Sequence, residues 1–348
     1  MGLPQNSPDE QQLQVGSLAN GKYNAGCLPQ DSPDEQQLQV GSQANGKSNA
    51  GCLPQDSSLK WWSKETIAVV TGSYKGLGYG IAKELAKQGV TVVLTARDEE
   101  RGLDVQLDLF NKGFTNVVFH QLDISHPKSV SRFSTWLNEK YGGLDILVNN
   151  AAILHVDTIR DYQAAKDCLD VNHYGTKRMI EAMLPLLKAS PEGARIVNVS
   201  SEYGRLQWLT DESLKEHCSA LSTEDQIDAL VQRFLKDAKE VEDGRMEKRG
   251  WAIEYPYYHF SKLCLNAYTR YLAAQLMNRP EGHKVFVNCL CPGLLRTDMT
   301  LQEEKLLPGG VTLATMDEGV DTPVWLALLP AAGGPSGLFF YKRKIMEF

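Results

Sequence analysis

The sequence predicts an α/β protein whose core is a doubly wound parallel sheet with helices on both faces. Two observations predict it: from Trp61 onward, short β-branched strands alternate with amphipathic helices, and a glycine-rich segment joins the first strand to the first helix. "TIAVVTG" (66–72) is a buried-strand run ending in glycine, "IAKELAKQG" (81–89) has helical periodicity closed by Gly89, and "TVVLTAR" (91–97) is the second strand, which completes a βαβ unit. "NVVFHQLDIS", a helix around 127–140, "LDILVNNAA", a helix around 164–188 and "ARIVNVSS" continue the alternation, and "NCLC" marks a later strand. Ligands of such sheets bind beyond the carboxyl ends of the strands.

Composition excludes several classes of function. The 348 residues carry a net charge of -7; residues 1–58 hold two lysines against six acids, or -4, which leaves -3 for the rest. No basic stripe is present to neutralise phosphates, so nucleic acid is not an expected partner. No window approaches 18 consecutive apolar residues and the first residues, "MGLPQNSPDEQQ", lack a secretory pattern, so the expectation is a cytoplasmic protein with no membrane contact. The seven cysteines show neither a disulfide framework nor zinc-ligand spacing; no metal is expected, and Cys289 and Cys291 read as core.

The tail is a tandem repeat. "LPQNSPDEQQLQVGSLANGKYNAGC" (3–27) recurs at 28–52 and a third copy starts at 53, a period of 25 residues rich in Gln, Asn, Ser, Gly and Pro. Such units bury too little apolar surface to offset their ordering entropy, so residues 1–58 are expected to be a disordered tail and 59–348 a single domain. An interaction arm exposing Cys27 and Cys52 is the alternative.

Within "TGSYKGLG" (71–78), Gly72, Gly76 and Gly78 allow a sharp turn and close approach to a pyrophosphate at a helix N-terminus. Arg97, about 20 residues on, and Lys75 in the loop suit the 2'-phosphate of NADP; Asp98 is the rival, as an acid for the 2'-hydroxyl of NAD. Tyrosine and lysine stand four apart, on one helical face, three times: Tyr79 with Lys83, Tyr162 with Lys166 and Tyr258 with Lys262. Spacing alone does not choose among them.

The ordered set "TGSYKGLG", "LDIS" (122–125), "NNAA" (149–152), "VNHYGTK" (171–177), "VNVSSEYG" (197–204), "YHFSK" (258–262) and "CPGLLRTDM" (291–299) resembles the short-chain dehydrogenase/reductase family over about 64–300. The resemblance implies a Rossmann-type fold and selects Tyr258 as general acid/base, Lys262 as its activator, Ser201 as donor to the substrate carbonyl and Asn172 as holder of a relay water. It also implies NADP(H) contacts at Gly72, Tyr74, Lys75, Gly76, Leu77, Gly78, Arg97, Asp123, Ile124, Asn149, Tyr258, Lys262, Pro292, Gly293 and Thr297. A nearby ammonium is expected to lower the phenol pKa by about 1 to 3 units. Ser201 is preferred to Ser200 because it begins the S-x-x-G run, and Ala152 stands where the commoner family form has glycine.

Ser201 and Tyr258 are separated by an insertion, about 205–250. "STEDQIDALVQRFLKDAKE" starts with a Ser222/Asp225 capping pattern and places Ile227, Leu230, Val231, Phe234, Leu235 and Ala238 on one stripe. It is similar to that of the monomeric carbonyl reductases and of the plant salutaridine and menthone/neomenthol reductases. That likeness implies a monomer with a lidded apolar pocket, lined by Trp208, Leu209 and the 300–315 loop; a dimerisation helix is the alternative. The implied activity is NADPH-dependent reduction of a small hydrophobic ketone or aldehyde, with enone C=C reduction and a non-catalytic binding protein as the other readings.

Overall fold

A computed structural model describes residues 60–154, 161–241, 244–301, 313–330 and 334–348. The repeated tail and most of the 300–315 loop lie outside these residues. Eight strands make one sheet: β1 (Ile67–Val70), β2 (Thr91–Ala96), β3 (Val117–Gln121), β4 (Ile146–Asn149), β5 (Ala194–Val199), β6 (Val285–Cys291), β7 (Phe339–Tyr341) and β8 (Lys344–Met346). Their order is β3-β2-β1-β4-β5-β6-β7-β8, parallel throughout except for the terminal β7–β8 hairpin. β1, β4 and β5 are buried along their whole length, as strands covered on both faces must be, and they read as largely apolar runs in which Asn149, Arg195 and Asn198 are the buried polar exceptions.

Ten α-helices are described: α1 (Gly76–Lys87), α2 (Glu99–Asn111), α3 (Pro127–Tyr141), α4 (Tyr162–Leu169), α5 (Thr176–Met183), α6 (Glu212–Ser219), α7 (Glu224–Glu240), α8 (Pro256–Leu276), α9 (Asp298–Leu301) and α10 (Met316–Leu328). The chain runs outward from β1 through β2 to β3, then returns to lay β4 on the other side of β1. That reversal opens a crevice at the carboxyl ends of β1 and β4. Two hydrophobic layers cover the sheet, one built on α3, α4, α5, α7 and α8, the other on α1 and α10.

The single helix expected over 164–188 is divided. A π-helical turn (Asp170–Gly175) lies between α4 and α5, and a 3-10 turn (Leu184–Leu186) carrying Pro185 ends the segment. In the insertion, the apolar stripe of α7 is buried as expected except for the half-buried Leu235, but the cap is one residue later than Ser222: Thr223 Oγ1 accepts from Gln226 N, and Gln226 Oε1 accepts from both Thr223 N (3.2 Å) and Ser222 N (2.9 Å). Glutamine at the third helical position satisfies two donors that Asp225 leaves alone. α7 lies against α4 and α8. Phe234 stacks on Phe260 of α8 at 4.0 Å between centroids and meets Trp251 edge-on at 4.9 Å. Leu209, expected in the pocket lining, is 2% exposed and belongs to this core instead.

Cys289 and Cys291 are buried with Phe339. No described helix is long and apolar enough to cross a membrane.

Candidate active site

The glycine turn follows β1 and is held by two hydroxyls bonded to neighbouring backbone. Ser73 Oγ donates to Val70 O (2.8 Å) and accepts from Thr95 N (2.9 Å), while Thr71 Oγ1 accepts from Asn150 N (2.9 Å) and Ala151 N (3.0 Å). Gly72 has φ 62°, and a Cβ there would lie 2.9 Å from Ala151 Cα; a Cβ on Gly78 would lie 2.4 Å from Asn150 Nδ2. Only hydrogen fits at either place. Asn150 was not among the expected contacts, yet its amide donates to the carbonyls of Thr71 and Gly72 (2.9 and 3.1 Å). The doubled Asn of "NNAA" was its signal in the sequence. Ala152 is not among the positive-φ residues, so alanine replaces glycine without strain.

Gly76 and Leu77 start α1, whose N-cap is Lys75. No side chain caps this end and no acid stands in its first turn. The free N–H groups and the dipole therefore face the crevice, as a bound pyrophosphate requires, and the residues present fit a dinucleotide. Thr297 closes over the turn: a Cβ on Gly76 would touch its Cγ2 at 3.6 Å. Gly293 takes φ 85° directly after Pro292, turning the chain out of β6 toward that position. Lys75 Nζ pairs with Asp298 at 2.8 Å and lies over the Tyr74 ring at 5.4 Å. Both partners are largely exposed, so this pair is weak and open to exchange for a phosphate.

At the end of β2, Arg97 is exposed and its carbonyl accepts from Gln121 Nε2 (3.2 Å). Asp98 caps α2, accepting from Arg101 N (3.1 Å) and pairing with the Arg101 guanidinium at 3.4 Å. Its carboxylate is thereby engaged as a cap and ion-pair partner. Asp123 accepts from Ser125 N (2.9 Å) and Ser125 Oγ (2.6 Å); burial pulls its pKa up, but these donors prevail and hold it below the usual range. Ile124 is buried, its carbonyl accepting from Arg178. Asn149 is 3% exposed, and its amide donates to Asn198 Oδ1 (2.9 Å), which puts the side chain inside the sheet rather than in the crevice.

Of the three Tyr/Lys pairs, two lie elsewhere. Tyr79 is hydrogen-bonded to Asp108 (3.1 Å) and Lys112 (3.2 Å) against α2, and Tyr162 stands exposed at the start of α4. Tyr258 and Lys262 share one face of α8, with Lys262 Nζ 5.5 Å from the Tyr258 ring centroid. Ser201, immediately after β5, presents its hydroxyl to the Tyr258 phenol and accepts from Tyr203 N (3.2 Å). Ser200 is spent inside, donating to Asn266 Oδ1 (2.6 Å).

One expectation about this cluster fails. The Lys262 ammonium donates to the Val199 carbonyl at 2.9 Å, and it does not bring the phenol pKa down. Burial raises Tyr258 above the ordinary phenol range, the thiols of Cys291 and Cys168 push the same way, and the Ser201 hydrogen bond opposes them only in part. Burial also lowers Lys262 to about 8. Both groups are thus driven toward their neutral forms. Asn172 stands on the π turn with its side chain bonded to protein groups: Oδ1 accepts from Ile153 N (2.8 Å), while Nδ2 donates to Ile153 O (2.9 Å) and Ser261 Oγ (3.0 Å). The amide braces the segment leaving β4 against α8.

Among the described residues no group of His, Cys, Asp and Glu is arranged to hold a metal ion.

Residues 66–211 match the family model for short chain dehydrogenase. The chain is 39% identical to short-chain dehydrogenase/reductase 1 of Saponaria officinalis, over 82% of this chain and 97% of that one. It is 36% identical to carbonyl reductase [NADPH] 1 of Rattus norvegicus, over 81% and 98%. Its structure superposes on salutaridine reductase from Papaver somniferum with a TM-score of 0.69 at 36% identity, covering 79% of this chain and 99% of that one. With a relative 39% identical over most of both chains and the family model matched from β1 past β5, the chain belongs to the short-chain dehydrogenase/reductase family.

Proposed function

We propose that the chain is an NADPH-dependent reductase of small hydrophobic ketones or aldehydes, with Tyr258 as the proton donor. The observation that carries this reading is the Ser201 hydroxyl set against the Tyr258 phenol, with Lys262 on the same helical face, beside a glycine turn whose helix N-terminus is uncapped. The glycine turn and the N-terminus of α1 would hold a nicotinamide dinucleotide, which would supply the hydride that a carbonyl carbon needs. Ser201 donates a hydrogen bond to the carbonyl oxygen and Tyr258 gives its proton to the same oxygen as alkoxide character develops.

The raised phenol pKa suits reduction in this direction. Tyr258 remains protonated at neutral pH, and an alkoxide, a much stronger base than a phenolate, takes its proton. Lys262 steadies the phenolate that results. Asn172 acts on position, holding the segment after β4 in register with α8. Two donors aimed at one oxygen favour C=O over C=C reduction.

NADPH over NADH is supported by Arg97 at the end of β2 and by Asp98 being engaged as a cap; the rat relative carries NADPH in its name. A monomer is supported by α7, which covers faces of α4 and α8 with its own apolar stripe. The test is cofactor consumption across ketones, aldehydes and enones with NADPH and NADH, with Tyr258→Phe in parallel. The expected result is ketone or aldehyde turnover with NADPH that falls about 10²-fold or more in the variant while NADPH binding is kept. Undiminished turnover would defeat the assignment of Tyr258.

A further inference from the structure

We propose that Tyr255, together with Tyr203 and Trp208, forms an aromatic wall of the substrate site that selects ketones carrying a flat ring; this rests on the reductase reading above.

Three non-glycine residues among those described have positive φ. Lys342 and Arg343 are the two central residues of the β7–β8 hairpin, where the turn requires it. Tyr255 has no such reason. It sits at φ 46°, ψ 46° as the N-cap of α8, an unfavourable place for an aromatic residue and doubly so before a proline. A strained residue three positions before the proposed proton donor points to a task for its side chain.

The ring shows what that task is. It lies edge-on to Tyr203 with centroids 5.6 Å apart, and Tyr203 lies against Trp208 at 5.0 Å. The wall is anchored to the reacting groups: Tyr203 N donates to Ser201 Oγ, Trp208 Nε1 donates to Glu202 O (3.0 Å), and Tyr255 O accepts from His259 N (2.8 Å) in the first turn of α8. The Tyr203 phenol is also close enough to Tyr258 to oppose its ionisation. All three residues are part-buried, so the cluster is not closed off inside the core. Tilted and edge-on aromatic rings present the surfaces on which a planar ring packs best.

The test uses the full chain as wild type, Tyr255→Gly, Tyr255→Phe and Trp208→Leu, with acetophenone and 2-butanone as probes. Glycine accepts φ 46° without strain, so Tyr255→Gly is expected to melt no lower than wild type. Its ratio of kcat/KM for acetophenone over that for 2-butanone is expected to fall about tenfold, to fall likewise in Trp208→Leu, and to be kept in Tyr255→Phe. An unchanged ratio in both ring-deleting variants overturns the wall and leaves the reductase reading standing. Calorimetric titration of acetophenone gives a readout free of turnover. If wild type binds it in a Tyr255-dependent way yet consumes no NADPH, the reductase reading falls and the wall stands; absence of both binding and turnover overturns both.

Discussion

Replacing Lys262 by methionine separates the cost of the buried amine from its use. Lys262 is 2% exposed and burial lowers its pKa to about 8, against ~10.4 in an unfolded chain. Between these values the unfolded state holds more protons than the folded one, so stability rises with pH. The favourable term is fully present above ~10.4 and is lost as pH falls through about 8. Integrating from pH 7 to pH 9.5 with these two values gives a rise of about 2 kcal/mol for wild type that the methionine variant lacks. The measurement is urea unfolding of both proteins at several pH values from 7 to 9.5. Their difference should shift by about 2 kcal/mol toward wild type across that span, while the variant loses turnover at every pH. Taking the difference cancels cysteines and tyrosines common to both chains. A difference that stays flat, or that moves toward the variant as pH rises, refutes burial as the dominant influence on Lys262.

Phe234→Ala removes the ring that stacks on Phe260, and should cost about 3–5 kcal/mol, seen as a melting point lower by about 10 °C, with retained activity below the transition. Arg97→Ala should raise KM for NADPH at least tenfold with little effect on NADH, measured by initial rates with each cofactor; equal effects on both would count against the 2'-phosphate site. From composition alone, deletion of residues 1–58 should leave turnover and melting temperature unchanged, which activity assays and calorimetry on the truncated chain would check.

The strands that build the crevice were legible because parallel strands buried on both faces must be nearly all apolar, as "IAVV" and "ILVN" are. The glycine turn was legible for a similar reason, since Gly72 and Gly78 leave room for nothing larger. β7 and β8 went unread because three residues each carry too little periodicity to register. Four-residue spacing showed correctly that Tyr258 and Lys262 share a helical face, but spacing carries no information on depth or on where a flexible amine points. Burial and the Val199 carbonyl, both products of tertiary packing, reversed the expected effect on the phenol. The partners of the Asn149 and Asn172 amides were not legible either, because they come from distant segments: Asn198 for one, Ile153 and Ser261 for the other.

The π turn at Asp170–Gly175 sacrifices regular helix geometry for aim. Its wider loop accommodates one residue more than an α turn, so excising a single residue there would let α4 and α5 fuse into one ordinary rod. The two helices would stay in phase, because the wide turn is what absorbs the extra residue, but the side chains inside the turn would be re-aimed and the amide of residue 172 would swing off Ile153. Such a deletion would make the helix more regular and leave the β4 segment without its brace, an irregularity that repair would harm.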